Sequence, residues 1–575
     1  MLIIGLTVGH DASVSISDDK GKILYAAAEE RFSRVKGHLG APYSALKSGI
    51  KYLNLSVQEL STFTHVIAGS INSKNLEWFY LLLLGKEYQG KFDVFNSPIP
   101  PGLLRKLKQD SNKYPGGTDF KFQLILEENL GYKIKNLISI NHHDAHAASA
   151  FWASTFQNSL VVTLDGSGDG ESGTVRQLSV DGGQKLLKRI PEKFSLGHLY
   201  SEVTKRYGFK ESRHEGKITG LVALSKKNGE EIAFEKVFKR DFYCGFNPKY
   251  LFDYRLRDPK NLREFNHRMA FKLAVARTEQ KLTDFPDLAK SVQNYLQDNV
   301  LNLIKKFSTG KSSSIALAGG VFSNVLLNGE IREAFKECSI YVYPNMGDGG
   351  LSTGAIWEYL RLQGQFPNQS IEPSMYIGSD LEKLPSDWNA KERTPKDLAD
   401  ELFNGTIIGF ITGRMEYGPR ALCHRSILAT PTNANINRDL NLRLNRTEFM
   451  PFAPVIRDID FDKVFCDALG EKLKYITNFR FMTETCYVRS EYLKILPAIV
   501  HVDGTARPQI LRHEDNPFLY ETLGILANNW NIPAIINTSF NAHEEPIIEN
   551  IYQAKNALIK NQIDKLYVDK LEIFV

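Results

Sequence analysis

The feature that most constrains this fold is a β-hairpin pattern that occurs twice within the first 180 residues. Residues 2–18 read as strand, turn and strand, and residues 159–180 repeat that order around a turn rich in Gly and Asp. Farther along, residues 314–331 read as a buried strand, a Gly-Gly turn and a helix. Apolar runs bounded by turn residues predict strands, and glycine turns let backbone approach a ligand. The pattern therefore predicts a duplicated α/β core.

Two halves with matching hairpins and strand–glycine–helix turns predict the actin/hexokinase-like ATPase architecture (the ASKHA fold) for the N-terminal region. The alternative is an unrelated α/β domain with glycine-rich loops. Residues 366–395 are rich in Pro, Ser and charge without periodicity, and a helix–strand pattern restarts after them. We therefore predict two α/β domains, at 1–370 and 390–575.

Composition excludes several classes of protein. The formal net charge of +5 over 575 residues does not indicate a nucleic-acid partner. The five cysteines form no CxxC pair, which predicts reduced thiols. The most apolar run, at 78–84, is far shorter than the roughly 20 residues that cross a bilayer. We expect a cytoplasmic protein that binds neither nucleic acid nor membrane.

Three histidines fall within five residues of a predicted helix. His142 and His146 are four residues apart, so both imidazoles share one helix face with a spacing suited to one cation. Asp165 and Asp348, each next to a glycine turn after a strand, are natural suppliers of the remaining ligands. This mixture of His and carboxylate suits Fe²⁺, Mn²⁺ or Zn²⁺ without choosing among them. The alternative is that one His packs in the core and the others are solvated.

A second cluster consists of arginines. Residues 413–457 contain seven Arg, no Lys and three acids. Planar guanidinium groups bind phosphate or carboxylate in two-point contacts that Lys reproduces poorly. A phosphate site is therefore predicted, with a structural ion-pair network as the alternative. The candidate ligands for phosphate are Arg414, Arg420, Arg425 and Arg446, joined by Arg507 and Asn537 from later polar motifs.

Twelve motifs in collinear order resemble the O-carbamoyltransferase family, typified by nodulation protein U and by enzymes that carbamoylate antibiotics. They cover most of the chain outside 71–120 and 225–290. The motifs include GHDAS (9–13), HHDAHAASAFWAS (142–154), LDGSGDG (164–170), EGKITGL (215–221), LAGGVFSNVLLNG (317–329), GRMEYGPRALCHRSILA (413–429), DGTARPQ (503–509) and NTSFNAHEEPI (537–547). The chain departs from the family pattern at Cys423 and His424, which replace Gly and Asn, and at Met450, which replaces Arg.

The resemblance implies a fold and a reaction. The N-terminal domain would be similar to the protein that transfers threonylcarbamoyl to tRNA, and the C-terminal domain to threonylcarbamoyl-adenylate synthase. The C-terminal domain would join carbamoyl phosphate to ATP, bound with Mg²⁺, as carbamoyl adenylate. The N-terminal domain would then transfer the carbamoyl group to a hydroxyl of a small-molecule acceptor, a natural product or sugar. A homodimer is the candidate assembly.

The resemblance also implies roles for residues. Arg414 and Arg420 would neutralise the reacting phosphates, and His10 would accept the proton of the acceptor hydroxyl. The four His and Asp ligands would hold the metal. The nucleotide of the transfer site would contact Asp11, Gly168, Asp169, Glu215, Lys217, Gly319, Gly320 and Asn324.

Two other functions compete with this one. An actin-like ATPase or sugar kinase with a regulatory C-terminal domain would fit the fold, but it would need neither the arginine cluster nor the histidine helix. A tRNA-modification factor would fit the N-terminal resemblance, but the small net charge opposes nucleic-acid binding.

Overall fold

The computed structural model describes residues 2–69, 118–225, 285–308, 313–367, 374–446 and 450–574. The predicted insertions at 71–120 and 225–290 lie largely outside these ranges, and so does Cys244. We call the described residues up to 367 the N-terminal part and those from 374 onward the C-terminal part.

The N-terminal part contains two five-stranded sheets with the same topology. The first is formed by β1 (Ile3–Thr7), β2 (Ser13–Ser17), β3 (Ile23–Ala28), β4 (Thr64–Ala68) and β5 (Asn136–Ile140). The second is formed by β6 (Asn158–Gly168), β7 (Glu171–Ser179), β8 (Gln184–Pro191), β9 (Ser314–Ala318) and β10 (Ser339–Val342).

The two sheets repeat both strand order and strand direction. The first has the order β3-β2-β1-β4-β5, and the second has the order β8-β7-β6-β9-β10. In each sheet the first three strands form an antiparallel meander, and the last two add in parallel on the other side. Two copies of one mixed sheet are the hallmark of the predicted duplicated architecture, so the actin/hexokinase-like fold is confirmed.

The C-terminal part is a mixed α/β unit. Its eight-stranded sheet has the order β11-β21-β20-β12-β13-β19-β14-β18, and a three-stranded sheet has the order β15-β16-β17. The strands are β11 (Asn389–Glu392), β12 (Ile408–Ile411), β13 (Arg425–Ala429), β14 (Pro454–Arg457), β15 (Phe465–Cys466), β16 (Cys486–Val488), β17 (Thr505–Ala506), β18 (Gln509–Leu511), β19 (Ala534–Ser539), β20 (Lys565–Val568) and β21 (Leu571–Phe574). The likeness to threonylcarbamoyl-adenylate synthase and the domain boundary stay predictions.

Helices cover the faces of these sheets. The α-helices of the described ranges are Glu30–Ser33, Tyr43–Tyr52, Val57–Leu60, Thr118–Leu130, His142–Ala153, Leu196–Arg206, Glu215–Val222, Phe285–Phe307, Val325–Ala334, Leu351–Leu362, Pro395–Phe403, Ile436–Arg443, Phe461–Val464, Pro517–Trp530 and Ile551–Ile559. Helix Pro395–Phe403 begins where the sequence predicts, because Thr394 and Asp397 form a capping box. Among these described helices, none is both long and apolar enough to span a bilayer.

One local prediction is wrong. Residues 165–169 were expected to form the turn of the second hairpin, but β6 continues to Gly168 and only a short turn precedes β7. The pairing register shifts between Leu164 and Gly168, so the strand bulges there instead of ending. Asp165 is the first residue of this irregular stretch of β6, and its carboxylate contacts helix His142–Ala153.

Hydrogen bonds tie the two parts together around the segment that follows residue 413. The Tyr417 hydroxyl donates to the Gly349 carbonyl oxygen and lies 2.9 Å from the Ser352 hydroxyl. The Arg31 guanidinium donates to the Gly418 carbonyl oxygen at 2.9 Å. The segment that carries the arginines is therefore anchored on the loop that carries Asp348.

Candidate functional site

The four predicted metal ligands lie together in the N-terminal part. The Asp165 carboxylate is 3.2 Å from Nε2 of both His142 and His146. The Asp348 carboxylate is 3.7 and 3.5 Å from the same two nitrogens. One ligand atom from each residue can be chosen so that all four lie within 4.8 Å of one another. A single divalent cation fits between two imidazoles and two carboxylates at this spacing.

Local sequence explains why both imidazoles face the same point. Helix His142–Ala153 starts directly after β5, and the Asn141 side chain caps it by accepting from two backbone N–H groups. The Asp169 carboxylate accepts from the His142 backbone N–H at 2.8 Å, which adds negative charge at the positive end of the helix. Asp169 therefore anchors the helix, and the contact with a nucleotide that the family resemblance implies for it stays a prediction.

Two predicted nucleotide-loop glycines make room for the ligands. A Cβ on Gly168 would lie 2.2 Å from the His142 ring, and a Cβ on Gly320 would lie 2.9 Å from the Asp165 carboxylate. Both glycines therefore act on the metal ligands by being small.

The third histidine of the helix is not a ligand in this arrangement. The ring nitrogens of His143 lie 3.1 Å from the Thr163 hydroxyl and 3.2 Å from the Glu171 carbonyl oxygen. Burial and the two neighbouring histidines hold its pKa well below the usual value. His143 is thus a neutral, satisfied core residue.

Without a cation, protons hold the cluster together. Burial opposes the charge of His142, but Asp348 and Asp165 outweigh it and raise the pKa of His142 to about 9. Burial also favours the neutral form of Asp165, yet hydrogen bonds from the two histidines bring its pKa well below the usual value. For Asp348, burial and the charge of Asp165 raise the pKa. A bound cation would replace these protons with its own charge.

His10 lies in the first hairpin turn with its Nδ1 2.8 Å from the Asp11 carboxylate. Burial disfavours the imidazolium, but Asp11 and Asp348 outweigh burial and raise the pKa of His10 to about 9. At neutral pH the protonated ring therefore dominates, whereas a general base needs the neutral ring. Asp11 is a partner of His10 here, and its contact with a nucleotide stays a prediction.

The remaining nucleotide-loop candidates have structural contacts. Asn324 caps helix Val325–Ala334 and pairs with the Gln293 side chain. The Glu215 carboxylate accepts from the Ser201 hydroxyl at 2.8 Å. Gly319 adopts φ +104°, and a Cβ there would clash with the Leu164 carbonyl oxygen. Of the nucleotide ligands that the resemblance implies, Lys217 lines the cavity described next.

A cavity of about 390 Å³ lies between the two parts. Both parts contribute to its wall, and basic residues outnumber acidic ones on it. Its charged and titratable lining residues are Lys36, Arg213, His214, Lys217, Arg420, Arg446, His501, Arg507, His543, Glu544 and Glu545. A concave site with this surplus of positive charge is suited to a polyanion.

The predicted phosphate ligands that reach this cavity are Arg420, Arg446, Arg507 and Asn537. Arg420 makes no hydrogen bond or ion pair with any described residue, and burial lowers its pKa without neutralising it. A partly buried guanidinium with no anion beside it is costly unless a ligand supplies one. By contrast, Arg446 donates to the Thr538 hydroxyl and to the Ser539 and Asn541 backbone carbonyls.

Two other predicted phosphate ligands lie elsewhere. The Arg414 guanidinium donates to the carbonyl oxygens of Leu24, Ile377 and Gly378 and stacks on Tyr52, 4.5 Å from the ring centre. The Arg425 side chain is fully buried. It donates to three backbone carbonyl oxygens of residues 412–424 and to that of residue 549. Neither residue lines the cavity.

The rest of the arginine segment pairs with acids. Arg443 contacts Asp564 at 2.6 Å, and Arg457 contacts Asp460 at 2.6 Å. These partners lie outside the segment, so counting acids within it overstated the number of free arginines.

Sequence reasoning missed several residues of the cavity wall. Lys36, Arg213 and His214 come from the N-terminal part, far in sequence from the arginine segment. Their signal in the sequence is that Lys36 ends the family-like segment AAEERFSRVK (27–36) and that Arg213 and His214 begin the polar run RHEGK (213–217). Two of the departures from the family pattern, Cys423 and His424, do not line the cavity, whereas the third, Met450, does. The His424 ring lies between the Arg414 and Asp515 carbonyl oxygens and stacks on a tyrosine.

Family comparison identifies the chain. The sequence model described as Carbamoyltransferase N-terminus matches residues 2–357, and that described as Carbamoyltransferase C-terminus matches residues 399–574. The chain belongs to the carbamoyltransferase family. It is an enzyme of the carbamoyltransferase type, and the predicted resemblance is confirmed.

Individual relatives agree with this assignment. The carbamoyltransferase is 27% identical to nodulation protein NolNO of Sinorhizobium fredii over 98% of its own length and 78% of the relative. It is 24% identical to nodulation protein U of the same organism over 94% of both chains. It is 30% identical to the 3'-hydroxymethylcephem-O-carbamoyltransferase of Amycolatopsis lactamdurans over 42% of its length and 45% of the relative.

Solved structures show a weaker likeness to the carbamoyltransferase. Component A of (R)-2-hydroxyglutaryl-CoA dehydratase from Acidaminococcus fermentans matches 63% of this chain and 99% of its own, with a TM-score of 0.33 and 12% identity. The fold assignment therefore rests on the repeated strand order of the two sheets.

Proposed function

We propose that this carbamoyltransferase is an ATP-dependent O-carbamoyltransferase that works through carbamoyl adenylate. It would make the adenylate from carbamoyl phosphate and ATP and pass the carbamoyl group to a hydroxyl of a small molecule, a natural product or sugar. The observation that carries this proposal is the basic cavity shared by the two parts, with Arg420 unpaired on its wall. Two reacting polyanions need such a surplus of positive charge at close range.

The first reaction must balance in atoms. Carbamoyl adenylate holds its carbamoyl group on the α-phosphorus of ATP through one oxygen. Carbamoyl phosphate can supply that oxygen only after its own oxygen–phosphorus bond has been cleaved by water, giving carbamate and phosphate. The carbamate oxygen then bonds to the α-phosphorus, and pyrophosphate leaves with the electron pair of the broken bond.

The chain's residues would promote this reaction by position and charge. Arg420 and Arg507 would contact the phosphate groups, and Lys217 would extend the basic wall towards the N-terminal part. Arg446 would hold the loop after β19 in place, since its guanidinium is already committed to Thr538, Ser539 and Asn541. Mg²⁺ would accompany ATP.

The second reaction would take place near the His/Asp cluster. A divalent metal held by His142, His146, Asp165 and Asp348 would supply Lewis-acid charge next to the adenylate phosphate. His10 would meet the acceptor hydroxyl and, in its neutral form, take its proton. With a pKa of about 9, the neutral form makes up about 1% of His10 at pH 7.

A hydroxyl acceptor is supported by the name of the A. lactamdurans relative, which denotes O-carbamoylation of a hydroxymethyl cephem. We place the reaction in the cytoplasm, where ATP is available, and infer no nucleic-acid or membrane partner. A homodimer is our candidate for the oligomeric state.

Isotope exchange tests the proposal. Labelled pyrophosphate should enter ATP only when carbamoyl phosphate is present, because pyrophosphate release is the reversible end of adenylate formation. Formation of ADP without carbamoyl phosphate would instead support a kinase or ATPase and would refute the proposal. Mass spectrometry of candidate hydroxyl metabolites incubated with the enzyme would then identify the acceptor by one added carbamoyl group.

A further inference from the structure

The turn at 501–505 forms part of the cavity wall, but the proposed function gives it no role. His501, Thr505 and Ala506 line the cavity next to Arg507. Backbone bonds close the turn, since the His501 N–H donates to the Thr505 carbonyl oxygen at 2.8 Å and the Gly504 N–H donates back to the His501 carbonyl oxygen at 2.9 Å. The turn therefore presents the His501 ring in a fixed place.

A carboxylate orients this ring. The Nδ1 atom of His501 lies 3.3 Å from the Asp503 carboxylate. The same carboxylate accepts from the Thr505 backbone N–H at 3.0 Å and from the Thr505 hydroxyl at 2.6 Å. Burial opposes ionisation of Asp503, but these hydrogen bonds and His501 lower its pKa to about 2. An ionised carboxylate at Nδ1 favours the tautomer whose Nε2 carries a lone pair.

The Nε2 atom of His501 is available to a ligand, since it makes no hydrogen bond to any described residue. The other histidines of the cavity wall differ from it. Both ring nitrogens of His214 are engaged, one by the Lys210 backbone N–H and one by the Glu544 carboxylate. No described carboxylate contacts the His543 ring, whose centre lies 6.1 Å from that of the His214 ring. His501 is thus the histidine of this wall with an oriented ring and an accessible nitrogen.

Cleavage of carbamoyl phosphate needs a proton acceptor in this cavity. Water attacks the phosphorus, and one of its protons must leave as the new oxygen–phosphorus bond forms. A positioned base typically accelerates such a step by about 10²–10⁴-fold.

We propose that His501, oriented by Asp503, is the general base that activates the water which cleaves carbamoyl phosphate. The water oxygen bonds to the phosphorus, and the bond from that phosphorus to the carbamoyl oxygen breaks with its electron pair left on carbamate. The water proton goes to Nε2 of His501 and is later released to solvent. The products are carbamate and inorganic phosphate. This role rests on the proposed function.

Carbamate supplied directly tests the role, because it bypasses the cleavage. Concentrated ammonium bicarbonate contains carbamate, so exchange of labelled pyrophosphate into ATP can be followed with either carbamoyl phosphate or ammonium bicarbonate. In His501→Asn, exchange with carbamoyl phosphate should fall about 10²-fold or more, while exchange with ammonium bicarbonate should stay within about threefold of wild type. Asp503→Asn keeps a hydrogen-bond acceptor for Thr505. In this variant, exchange with carbamoyl phosphate should fall about tenfold, and exchange with ammonium bicarbonate should not change. Val502→Ala, an exposed neighbour, should change neither.

The outcomes separate this inference from the function beneath it. If His501→Asn keeps its exchange with carbamoyl phosphate, or loses exchange with both substrates equally, the general-base role is wrong. The second result would indicate a role in binding or folding. If the wild-type enzyme exchanges with neither substrate, the proposed function fails and this inference fails with it. Exchange in ¹⁸O-labelled water adds a check, because the label must appear in the released phosphate and not in carbamate.

Discussion

The His/Asp cluster and the cavity differ in how their charges are arranged. In the cluster, two carboxylates and two imidazoles face one another within 4.8 Å, and each is the partner of the others. On the cavity wall, six Lys and Arg side chains surround about 390 Å³ with two carboxylates among them, Glu544 and Glu545. The first arrangement suits one small cation, and the second suits a large anion. Each site therefore favours a ligand whose charge is opposite to the surplus charge of its own side chains.

Removal of one ligand from the cluster should separate the two sites most sharply. His146→Ala should reduce carbamoyl transfer on the order of 10³-fold, since a metal that polarises the phosphate is worth several kcal/mol. Adenylate formation should stay intact, because His146 lies outside the cavity wall. Transfer is measured by mass spectrometry of the product, and metal content by elemental analysis.

A matched variant on the same helix is His143→Gln, which should keep the metal because His143 bonds Thr163 and Glu171 instead of the cluster. If His146→Ala lost adenylate formation and transfer equally, the two sites would not divide the reaction as proposed.

Loss of the unpaired cation should have the next largest effect. Arg420→Ala should lower kcat/KM for carbamoyl-phosphate-dependent pyrophosphate exchange by about 10²-fold, since charge-assisted hydrogen bonds to the phosphates are lost. The control is Arg438→Ala, because Arg438 is mostly exposed and lies 3.7 Å from Asp439. Equal losses in the two variants would mean that general charge, not contact, explains the effect.

The pH profile should distinguish the transfer site from the cavity. If neutral His10 takes the acceptor proton, the rate of transfer should rise about tenfold per pH unit from pH 7. It should level off near pH 9, the raised pKa at which the His10 ring loses its proton. His10→Asn should be slower and lack that rise. Pyrophosphate exchange, measured in the same buffers, should not follow this profile. A flat transfer profile in wild type would remove His10 from the role of base.

The smallest effect on function is expected at Arg414. Arg414→Ala should change KM for ATP by less than about twofold, because the side chain serves three backbone carbonyls and Tyr52 outside the cavity. The free energy of unfolding should fall by about 2 kcal/mol, since buried carbonyls lose their donor. Denaturant unfolding and exchange kinetics measure the two quantities. A large rise in KM would restore Arg414 as a phosphate ligand.

Much of the fold could be predicted because its signals are local. Alternating apolar residues and turn residues mark β1, β2, β6, β7 and the strand–glycine–helix unit at β9. The bulge in β6 escaped prediction, because glycine and aspartate usually end a strand and only pairing with β7 keeps this one extended.

The metal ligands were predictable for a related reason. His142 and His146 must share one face of the helix once it forms. Asp165 and Asp348 lie near the ends of β6 and β10, two strands of one sheet, and this brings both carboxylates close to His142. The spacing of arginines in the sequence does not predict their partners, because a long side chain can pair with a residue that is distant in the sequence. Asp564, which pairs with Arg443, lies 121 positions away in sequence. The cavity wall escaped prediction because it is assembled from both parts.

The bond from Tyr417 to Gly349 has a consequence for how the protein melts. Gly349 follows the predicted ligand Asp348, and Ser352, the second partner of the Tyr417 hydroxyl, lies in the first turn of helix Leu351–Leu362. A cation bound at Asp348 would stiffen that loop and, through it, the arginine segment. Binding of the cation should therefore stabilise the C-terminal part against unfolding as well as the N-terminal part that holds the cation. In calorimetry, the metal-loaded chain should unfold in one cooperative transition, with the arginine-bearing half protected by an ion it does not touch.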